Sequence, residues 1–337
     1  MSYPSVGIAI PCFQEALHIE ECVLSCLNQT YSGNIRVFVA DGGSTDGTLE
    51  KIQQLALQHE NKIVVLKNER RVTPVALNMG LQASNEDFKM ILGAHATLPN
   101  DYIEKCMQTF IEHPEADCVG GIIVNEYQDA TSQAIGCAMS SSFGVGNSHF
   151  RTGNKNGFVD TVAFGMYRKE VFEKIGYFRE ELVRNQDDEF NFRMEKNGMK
   201  CYLNTDLHSK YYVRGTLSKL MKQYYQYGYW KVYVNILHGQ ITTVRQLVPF
   251  AFVCHLILFV FTNIFFPKYD VYLGIPILAY FILALIFAGR AKSKEPRVTL
   301  LSFFILHLGY GWGYLRGVIE MKIFGKRPTL QNAQHNR

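Results

Sequence analysis

Two uninterrupted apolar runs near the end of the chain constrain its fold more than any other feature. LVPFAFVCHLILFVFTNIFF occupies residues 247–266, VYLGIPILAYFILALIFAG occupies residues 271–289, and neither contains Lys, Arg, Asp or Glu. Each run is about as long as a helix must be to cross the ~30 Å hydrocarbon core of a bilayer. Neither run has the polar face of a helix buried in a soluble core. The sequence therefore predicts a pair of transmembrane helices joined by the short link PKYD.

The charges around this pair predict its orientation. The segment RAKSKEPR at residues 290–297 carries four basic side chains against one acidic one, and such segments remain in the cytoplasm. Because both ends of a hairpin lie on one side of the membrane, the residues before it are expected in the cytoplasm too. We therefore expect a multi-pass protein of the cytoplasmic membrane. The net charge of +4 is too small to indicate a nucleic-acid partner.

A third apolar run, residues 298–317, allows two interpretations. It is followed by basic residues that also favour the cytoplasm, so a third crossing would break the charge rule. Alternatively, the run lies in or dips into the membrane. Gly309, Gly311 and Gly313 suit close helix packing in both cases. Before the runs, residues 214–240 mix lysines with tyrosines and a tryptophan, which is typical of a helix at the headgroup interface.

The first half of the chain alternates β-branched strand segments with helical ones. SVGIAI, IRVFVA, KIVVLK and FKMIL are the strand segments, and the alternation predicts parallel strands joined by right-handed helical crossovers. The predicted fold class is therefore α/β, a Rossmann-like, mostly parallel sheet with flanking helices, followed by a helical membrane region. The predicted divisions are 1–213 for this domain, 214–240 for the interfacial helix, and 241–337 for two or three transmembrane helices and a basic tail.

Ligands of such sheets bind beyond the carboxyl ends of the strands, and those positions carry polar groups here. The first strand is followed by Glu15, the second by Asp41 within DGGSTDGT, and the fourth by His95. A carboxylate such as Asp41 can accept hydrogen bonds from a base or a ribose hydroxyl, although the same residues also suit an ordinary turn. The neighbouring Glu15 favours a ligand. The absence of GxGxxG and GxxxxGK[ST] argues against a dinucleotide oxidoreductase and a P-loop NTPase.

Five segments, in this order, resemble motifs of the family 2 glycosyltransferases, which have the GT-A fold: IPCFQE, VADGGSTDGT, ALNMGL, NQDDEFNFRM and QYYQYGYWK. The resemblance runs over residues 5–235. Residues 150–194 are most similar to membrane-bound bacterial exopolysaccharide transferases of the succinoglycan type. The resemblance implies inverting transfer of a hexose from a nucleotide sugar, a UDP-sugar being favoured, to a polyprenyl-linked saccharide at the cytoplasmic leaflet. Two alternatives stay open: transfer onto polyprenyl phosphate itself, and a nucleotide-sugar-binding membrane regulator without catalysis.

The resemblance also implies roles for individual residues. Donor binding is assigned to Pro11, Phe13, Glu15, Asp41, Asp46, Asn78 and His95. Catalysis is assigned to Asp187 and Asp188, because inverting transfer needs the acceptor hydroxyl deprotonated as it attacks C1, and clustered carboxylates raise one another's pKa. A solvated helix start is the alternative. Acceptor contacts are assigned to Gln186, Glu189, Arg193, Gln223, Tyr227, Trp230 and Lys231; the last four suit membrane anchoring equally well.

One departure from the family concerns the metal. The family ends its fourth strand with an Asp-any-Asp motif that binds a divalent cation, which neutralises the leaving diphosphate. Here the matching residues are Gly93, Ala94 and His95. The resemblance therefore implies Mg²⁺ or Mn²⁺ held by His95, or a protonated His95 that contacts the diphosphate directly. A loop-capping role for His95 is the alternative.

Overall fold

The computed structural model describes residues 3–328 except 147, 154, 214, 267 and 269, so Arg337 of the predicted basic tail lies outside the described residues. The chain divides into two compact units. The first comprises residues up to 125 together with 149–212, and the second comprises 126–148 together with the residues from 213 onward.

Nine strands form one sheet in the first unit: β1 Val6–Cys12, β2 Ile35–Asp41, β3 Ile63–Lys67, β4 Phe88–Ile91, β5 Ala96–Thr97, β6 Cys118–Glu126, β7 Gly157–Val159, β8 Ala163–Arg168 and β9 Cys201–Tyr212. Their order is β3-β2-β1-β4-β8-β6-β9-β5, and β7 pairs with β9. The strands β3, β2, β1 and β4 are parallel, as predicted. Antiparallel pairings continue the sheet beyond β4, so the whole sheet is mixed.

The helices of the two units are α1 Ile19–Leu27, α2 Thr48–Gln58, α3 Thr73–Ala83, α4 Tyr102–Glu112, α5 Ala130–Met139, α6 Ser142–Val145, α7 His149–Thr152, α8 Lys169–Ile175, α9 Gln186–Lys196, α10 Leu217–His238, α11 Val248–Phe265, α12 Asp270–Arg290 and α13 Pro296–Gly317. A 3₁₀ turn at Val244–Leu247 precedes α11, and a π turn at Val318–Ile323 follows α13.

The core of the first unit forms around the parallel strands. The apolar side chains of β1 and β2 are almost completely buried, and α1 and α4 add buried residues to the same cluster. Burial on both faces explains why these strands read as continuous apolar runs. All eight cysteines are free thiols.

The second unit contains three helices that are long and apolar enough to cross a membrane. They lie within Val244–Phe265, Asp270–Arg290 and Pro296–Ile323. Only 6% and 11% of the most apolar windows of the first two are buried, against 50% of the third. The first two therefore expose their apolar side chains nearly all round, as helices surrounded by lipid do.

Candidate active site

The loops after β1 and β2 are fastened to each other at the carboxyl edge of the sheet. Cys12 at the end of β1 lies opposite Asp41 at the end of β2. Beyond them, the Gln14 amide donates to Ser44 Oγ at 2.9 Å, and the Glu15 amide donates to Thr48 Oγ1 at 2.9 Å. Residues that are thirty or more positions apart along the chain thus lie side by side at this edge of the sheet.

Asp46 belongs to this fastening. Its Oδ2 accepts the amide of Ala16 at 3.2 Å, and its Oδ1 accepts the amide and hydroxyl of Thr48. The hydrogen bond from the Thr48 hydroxyl is the main cause that lowers the pKa of Asp46. The carboxylate therefore stays ionised and holds the two loops together.

Asp41 shapes the turn that follows β2. Its side chain is 3% exposed. One carboxylate oxygen accepts the amides of Gly43 and Ser44 at 2.8 and 3.0 Å, and the other accepts the Ser44 hydroxyl at 2.6 Å. Gly43 has a φ of +78°, a conformation that glycine adopts without strain. These contacts are the ones expected of a turn, and binding of the base or ribose by Asp41 stays a prediction.

Phe13 and Arg71 flank the same glycine turn. The Arg71 guanidinium carbon lies 5.7 Å from the centre of the Phe13 ring. A Cβ atom placed on Gly42 would lie 3.0 Å from the Phe13 ring, and one on Gly43 would lie 3.3 Å from the guanidinium. Because Gly42 and Gly43 lack side chains, the Phe13 ring and the Arg71 guanidinium can both pack closely against the turn.

Residues after β3 were missed at the sequence level. Arg71 has a positive φ of 56°, which is rare for a residue with a side chain and marks a position worth a functional explanation. Asn68 is 3% exposed, its amide donates to the Asp41 carbonyl, and its Oδ1 is buried without a hydrogen-bond partner. A buried acceptor of this kind needs an explanation, and a ligand donor would supply one. The only signal in the sequence is the basic pair in NERR after the third strand segment.

Glu15 and His95 meet where β1 and β4 end. His95 Nδ1 lies 3.2 Å from Glu15 Oε1, with side chains 32% and 24% exposed. The His95 ring also packs 5.1 Å from the Tyr211 ring. Both groups are thus partly accessible and held in place.

The Glu15–His95 pair is a candidate cation site. The described residues contain no group of three or more His, Cys, Asp or Glu side chains suited to a metal. However, two neighbouring ligands of an octahedral Mg²⁺ at ~2.1 Å stand about 3 Å apart, and Mg²⁺ commonly takes few protein ligands beside phosphate and water. The 3.2 Å separation in the Glu15–His95 pair matches two such positions, so the donor set fits a cation shared with a diphosphate.

The acidic run at the start of α9 contains three different environments. Asp187 is exposed, Asp188 is half-buried and Glu189 is completely buried. Glu189 accepts hydrogen bonds from Arg179 Nε at 3.1 Å and from Arg193 Nε at 2.8 Å. Arg193 in turn donates to the carbonyls of Ile175 and Tyr177. Glu189 and Arg193 therefore hold α9 against the residues before it, while Asp187 faces solvent.

Residues 178–181 connect this acidic run to the donor side of the sheet. Asn78 on α3 accepts the Phe178 amide at 3.0 Å and donates to the Phe178 carbonyl at 2.8 Å. Glu180 forms an ion pair with Arg70, the residue before Arg71. Asn78, predicted as a donor-binding residue, thus contacts the chain that leads to Asp187.

The remaining predicted residues lie on α10, in the second unit. Gln223, Trp230 and Lys231 are buried there. Gln223 donates to the Tyr227 hydroxyl at 2.8 Å, and Lys231 donates to Thr243 Oγ1 at 3.3 Å. These are contacts within that unit, and an acceptor role for the four residues stays a prediction. Gln186 opens α9, and Pro11 lies within β1.

Comparison with known proteins identifies close relatives. Residues 7–176 match the family model described as Glycosyl transferase family 2. The chain is 32% identical to a dolichyl N-acetyl-alpha-D-glucosaminyl phosphate 3-beta-D-2,3-diacetamido-2,3-dideoxy-beta-D-glucuronosyltransferase of Methanococcus voltae, over 94% of this chain and 97% of that protein. It is 30% identical to the succinoglycan biosynthesis protein ExoA of Rhizobium meliloti, over 72% and 74%. The fold is similar to that of S. aureus TarS residues 1–349 in complex with UDP, with a TM-score of 0.51, 15% identity, and coverage of 97% and 93%.

Proposed function

The chain belongs to glycosyl transferase family 2 and is a glycosyltransferase; from this premise we propose that it transfers a hexose from a UDP-sugar, with inversion, to a saccharide carried on a polyprenyl-type lipid. One observation carries the acceptor class. The Methanococcus relative, which aligns with nearly the whole chain, is named for transfer to a sugar on dolichyl phosphate, an isoprenoid lipid carrier. Three helices able to span a membrane suit an acceptor of this kind.

The donor nucleotide is proposed to bind around the turn after β2. Phe13 and Arg71 offer an aromatic face and a cation beside Gly42 and Gly43. The unpartnered Asn68 Oδ1 next to Asp41 offers an acceptor, which suits an N–H group of the base. Guanidinium groups also pair with phosphate oxygens, so Arg71 serves either the base or the diphosphate.

The diphosphate is proposed to lie against Glu15 and His95. Members of this family commonly use a divalent cation, which would neutralise the charge of the leaving diphosphate. Glu15 and His95 would hold Mg²⁺ or Mn²⁺ there, since their separation suits two adjacent ligands. In the alternative, a protonated His95 paired with Glu15 contacts the diphosphate directly. Loss of activity in EDTA favours the first arrangement, and retained activity favours the second.

Asp187 is proposed as the general base. It would accept the proton of the acceptor hydroxyl as that oxygen bonds to C1 of the sugar and the bond from C1 to the diphosphate oxygen breaks. The exposure of Asp187 at the start of α9 supports this role. Asp188 is proposed to assist it. The ion pairs of Glu189 with Arg179 and Arg193 favour positioning of α9 over acceptor contact.

The acceptor is proposed to approach from the membrane. We retain the division into a glycosyltransferase domain at 1–213, an interfacial helix at 214–240 and a membrane region at 241–337, with the domain in the cytoplasm of a multi-pass protein. The basic segment after α12 supports this orientation. Gln223, Tyr227, Trp230 and Lys231 remain the proposed acceptor residues of the interfacial helix.

The function is tested by incubating membranes that contain the protein with a panel of radiolabelled nucleotide sugars, with and without EDTA. Labelling of a lipid-linked saccharide that is lost in Asp187→Asn, while nucleotide-sugar binding remains, would support the proposal. If only added polyprenyl phosphate is labelled, the saccharide acceptor is wrong. If no donor labels any lipid fraction, the proposed reaction is wrong.

A further inference from the structure

The third apolar helix, α13, differs from α11 and α12 in its surroundings. Half of its most apolar window is buried within the second unit. Its main neighbour is α10, the helix that mixes lysines with aromatic residues. The position of α13 relative to a membrane therefore depends on where α10 can lie.

Glycines bring the backbones of α10 and α13 into direct contact. A Cβ atom on Gly313 would lie 1.9 Å from the Tyr225 carbonyl oxygen, and one on Gly228 would lie 2.0 Å from the Tyr310 carbonyl oxygen. Real Cβ atoms cannot approach so closely, so these positions need glycine. Spacing of small residues by four is the usual arrangement for such close helix pairs.

The two helices run in parallel over several turns. Gly309 faces Met221, Gly313 faces Tyr225 and Tyr229, and Gly317 faces Tyr229 and Val232. Contacts therefore advance toward the C-terminus on both helices together. Any membrane depth reached by α13 over these residues is reached by α10 as well.

The composition of α10 is incompatible with the hydrocarbon core. Along α10 the chain carries five strongly polar or charged side chains, Lys222, Gln223, Gln226, Lys231 and Asn235, and all of them except Lys222 are buried within the second unit. Ionisable and amide groups at the bilayer centre are costly, and α10 is not among the helices able to span a membrane in the described part of the chain. Because α10 is not expected to cross a membrane, we do not expect α13 to cross beside it.

The contacts of α13 with the α11–α12 hairpin involve the start of α11 and the middle of α12. Tyr314 packs on Phe250 at the start of α11. His307 Nδ1 accepts the Tyr280 hydroxyl at 2.7 Å, at the midpoint of α12, and His307 Nε2 donates to the Phe143 carbonyl of α6 at 2.9 Å. The far half of the hairpin, residues 254–279, is largely exposed in the structure. The contacts of α13 therefore leave the half of the hairpin nearest its turn uncovered.

The face of α13 that its neighbours leave open suits a bilayer surface. This exposed stripe, continued by the π turn and the residues after it, is formed by Leu301, Trp312, Arg316, Ile319, Lys322, Ile323 and Phe324. Apolar and aromatic residues with basic groups toward one end are typical of helices that lie in the headgroup region.

We propose that α11 and α12 are the crossing helices and that α10 and α13 form a platform on the cytoplasmic leaflet, with the stripe against the lipid. The proposal removes the conflict that the charges create. Both the basic segment 290–297 and the residues after α13 then lie on one side, as the positive-inside rule requires.

Single cysteines test this arrangement without any measurement of activity. Lys268→Cys marks the hairpin turn, Lys294→Cys the link between α12 and α13, and Lys326→Cys the end of the platform; all three lysines are exposed. Glu60→Cys, at an exposed position in the turn after α2, reports the side of the first unit. Cys137 and Cys254, the two native thiols that are not buried, are replaced by serine in every variant.

The readout is labelling by a membrane-impermeant maleimide in intact and in permeabilised cells. We expect Lys268→Cys to be labelled in intact cells. The cysteines at positions 294, 326 and 60 should be labelled only after the cells are permeabilised. Labelling of positions 326 and 268 from one side would show a third crossing and overturn the proposal. The proposal would also be overturned if positions 326 and 294 were labelled from different sides of the membrane, or if all four positions were labelled from the same side. Failure of the proposed sugar transfer would leave these outcomes unchanged.

Discussion

Replacement of Glu189 by Gln should destabilise the first unit, whereas the corresponding change at the exposed Asp187 should not. The Glu189 carboxylate is completely buried and pairs with Arg179 and Arg193, whose side chains are 40% and 15% exposed. Removing one partner of a buried ion pair costs about 3–5 kcal/mol because the other charge is left uncompensated. In Glu189→Gln, Arg179 can be hydrated and keeps its ion pair with Glu181, and the Gln amide oxygen can still accept a hydrogen bond. We therefore expect the free energy of unfolding to fall by about 3 kcal/mol, at the low end of this range.

Asp187→Asn is the matched variant, two residues away on the same turn. Its side chain is exposed, so the free energy of unfolding should change by no more than about 0.5 kcal/mol. If Asp187 is the general base, the rate of sugar transfer should fall by about 10²–10⁴. The two substitutions therefore separate stability from turnover within one acidic run.

The buried thiols offer a direct stability assay. Six of the eight cysteines are buried, and all six lie in the first unit. Burial raises the pKa of the Cys106 thiol, so once Cys137 and Cys254, which are not buried, are replaced by serine, a thiol-reactive dye should react only on unfolding. A loss of 3 kcal/mol corresponds to a midpoint about 6–12 °C lower for a domain of this size. An unchanged midpoint with lost turnover for Glu189→Gln would refute the positioning role, and full turnover in Asp187→Asn would place the base elsewhere.

Three further predictions concern acid stability, the cation and helix packing. Hydrogen bonds from Ser5 lower the pKa of Asp87 in the folded state, so the stabilising contribution of Asp87 is complete at neutral pH and is lost as the pH falls below about 4. In Asp87→Asn, the unfolding midpoint measured with the dye should therefore decline less steeply in acid. An unchanged decline would contradict this prediction. His95→Ala should raise the divalent-cation concentration needed for half-maximal activity by about 10–100-fold, whereas full wild-type activity in EDTA would exclude a cation at Glu15 and His95. Gly313→Ala should lower the unfolding midpoint of the detergent-solubilised protein, because overpacking costs about 1–3 kcal/mol of stability. Gly289→Ala should leave the midpoint unchanged, since its Cβ atom would meet nothing within 4 Å. Equal midpoints for the two variants would refute the close contact at Gly313.

The parallel half of the sheet could be predicted because its signal is local. Each strand from β1 to β4 is a short β-branched run followed by a helix, and the crossover rules then limit the topology. The antiparallel strands β6 to β9 could not be ordered in this way, since their pairings join residues far apart in sequence. Residues 126–148 belong to the second unit because of contacts such as the hydrogen bond from Thr299 Oγ1 to the Ala134 carbonyl. No sequence pattern predicts contacts of this kind.

The location of the candidate residues was predictable to the extent that they lie at strand ends. Glu15, Asp41 and His95 follow strands whose carboxyl ends share one edge, and the structure places the first two loops in contact there. Asn68 and Arg71 follow β3 but were not predicted, because a buried acceptor without a partner and a positive φ are properties of the folded backbone.

The acidic motif shows a different limit of sequence analysis. Residue type alone gives Asp187 and Glu189 the same chemistry, yet they lie two positions apart on a helix and so face directions about 200° apart. One carboxylate consequently faces solvent while the other is enclosed by two arginines. The direction in which α9 faces is set by tertiary contacts, so only the structure distinguishes a candidate base from a positioning residue.

Contacts of residues 178–181 link the proposed base to the proposed donor site, although the two sites follow different parts of the sheet. Asp41 is fixed by the end of a parallel strand, but Asp187 follows a loop with no strand beneath it. That loop is fastened by Asn78 to Phe178 and by Arg70 to Glu180. Because Arg70 precedes Arg71 at the proposed nucleotide site, the same few contacts set both the donor side and the approach to α9. The placement of the proposed base relative to the proposed donor site should therefore depend on residues 178–181 and their two partners.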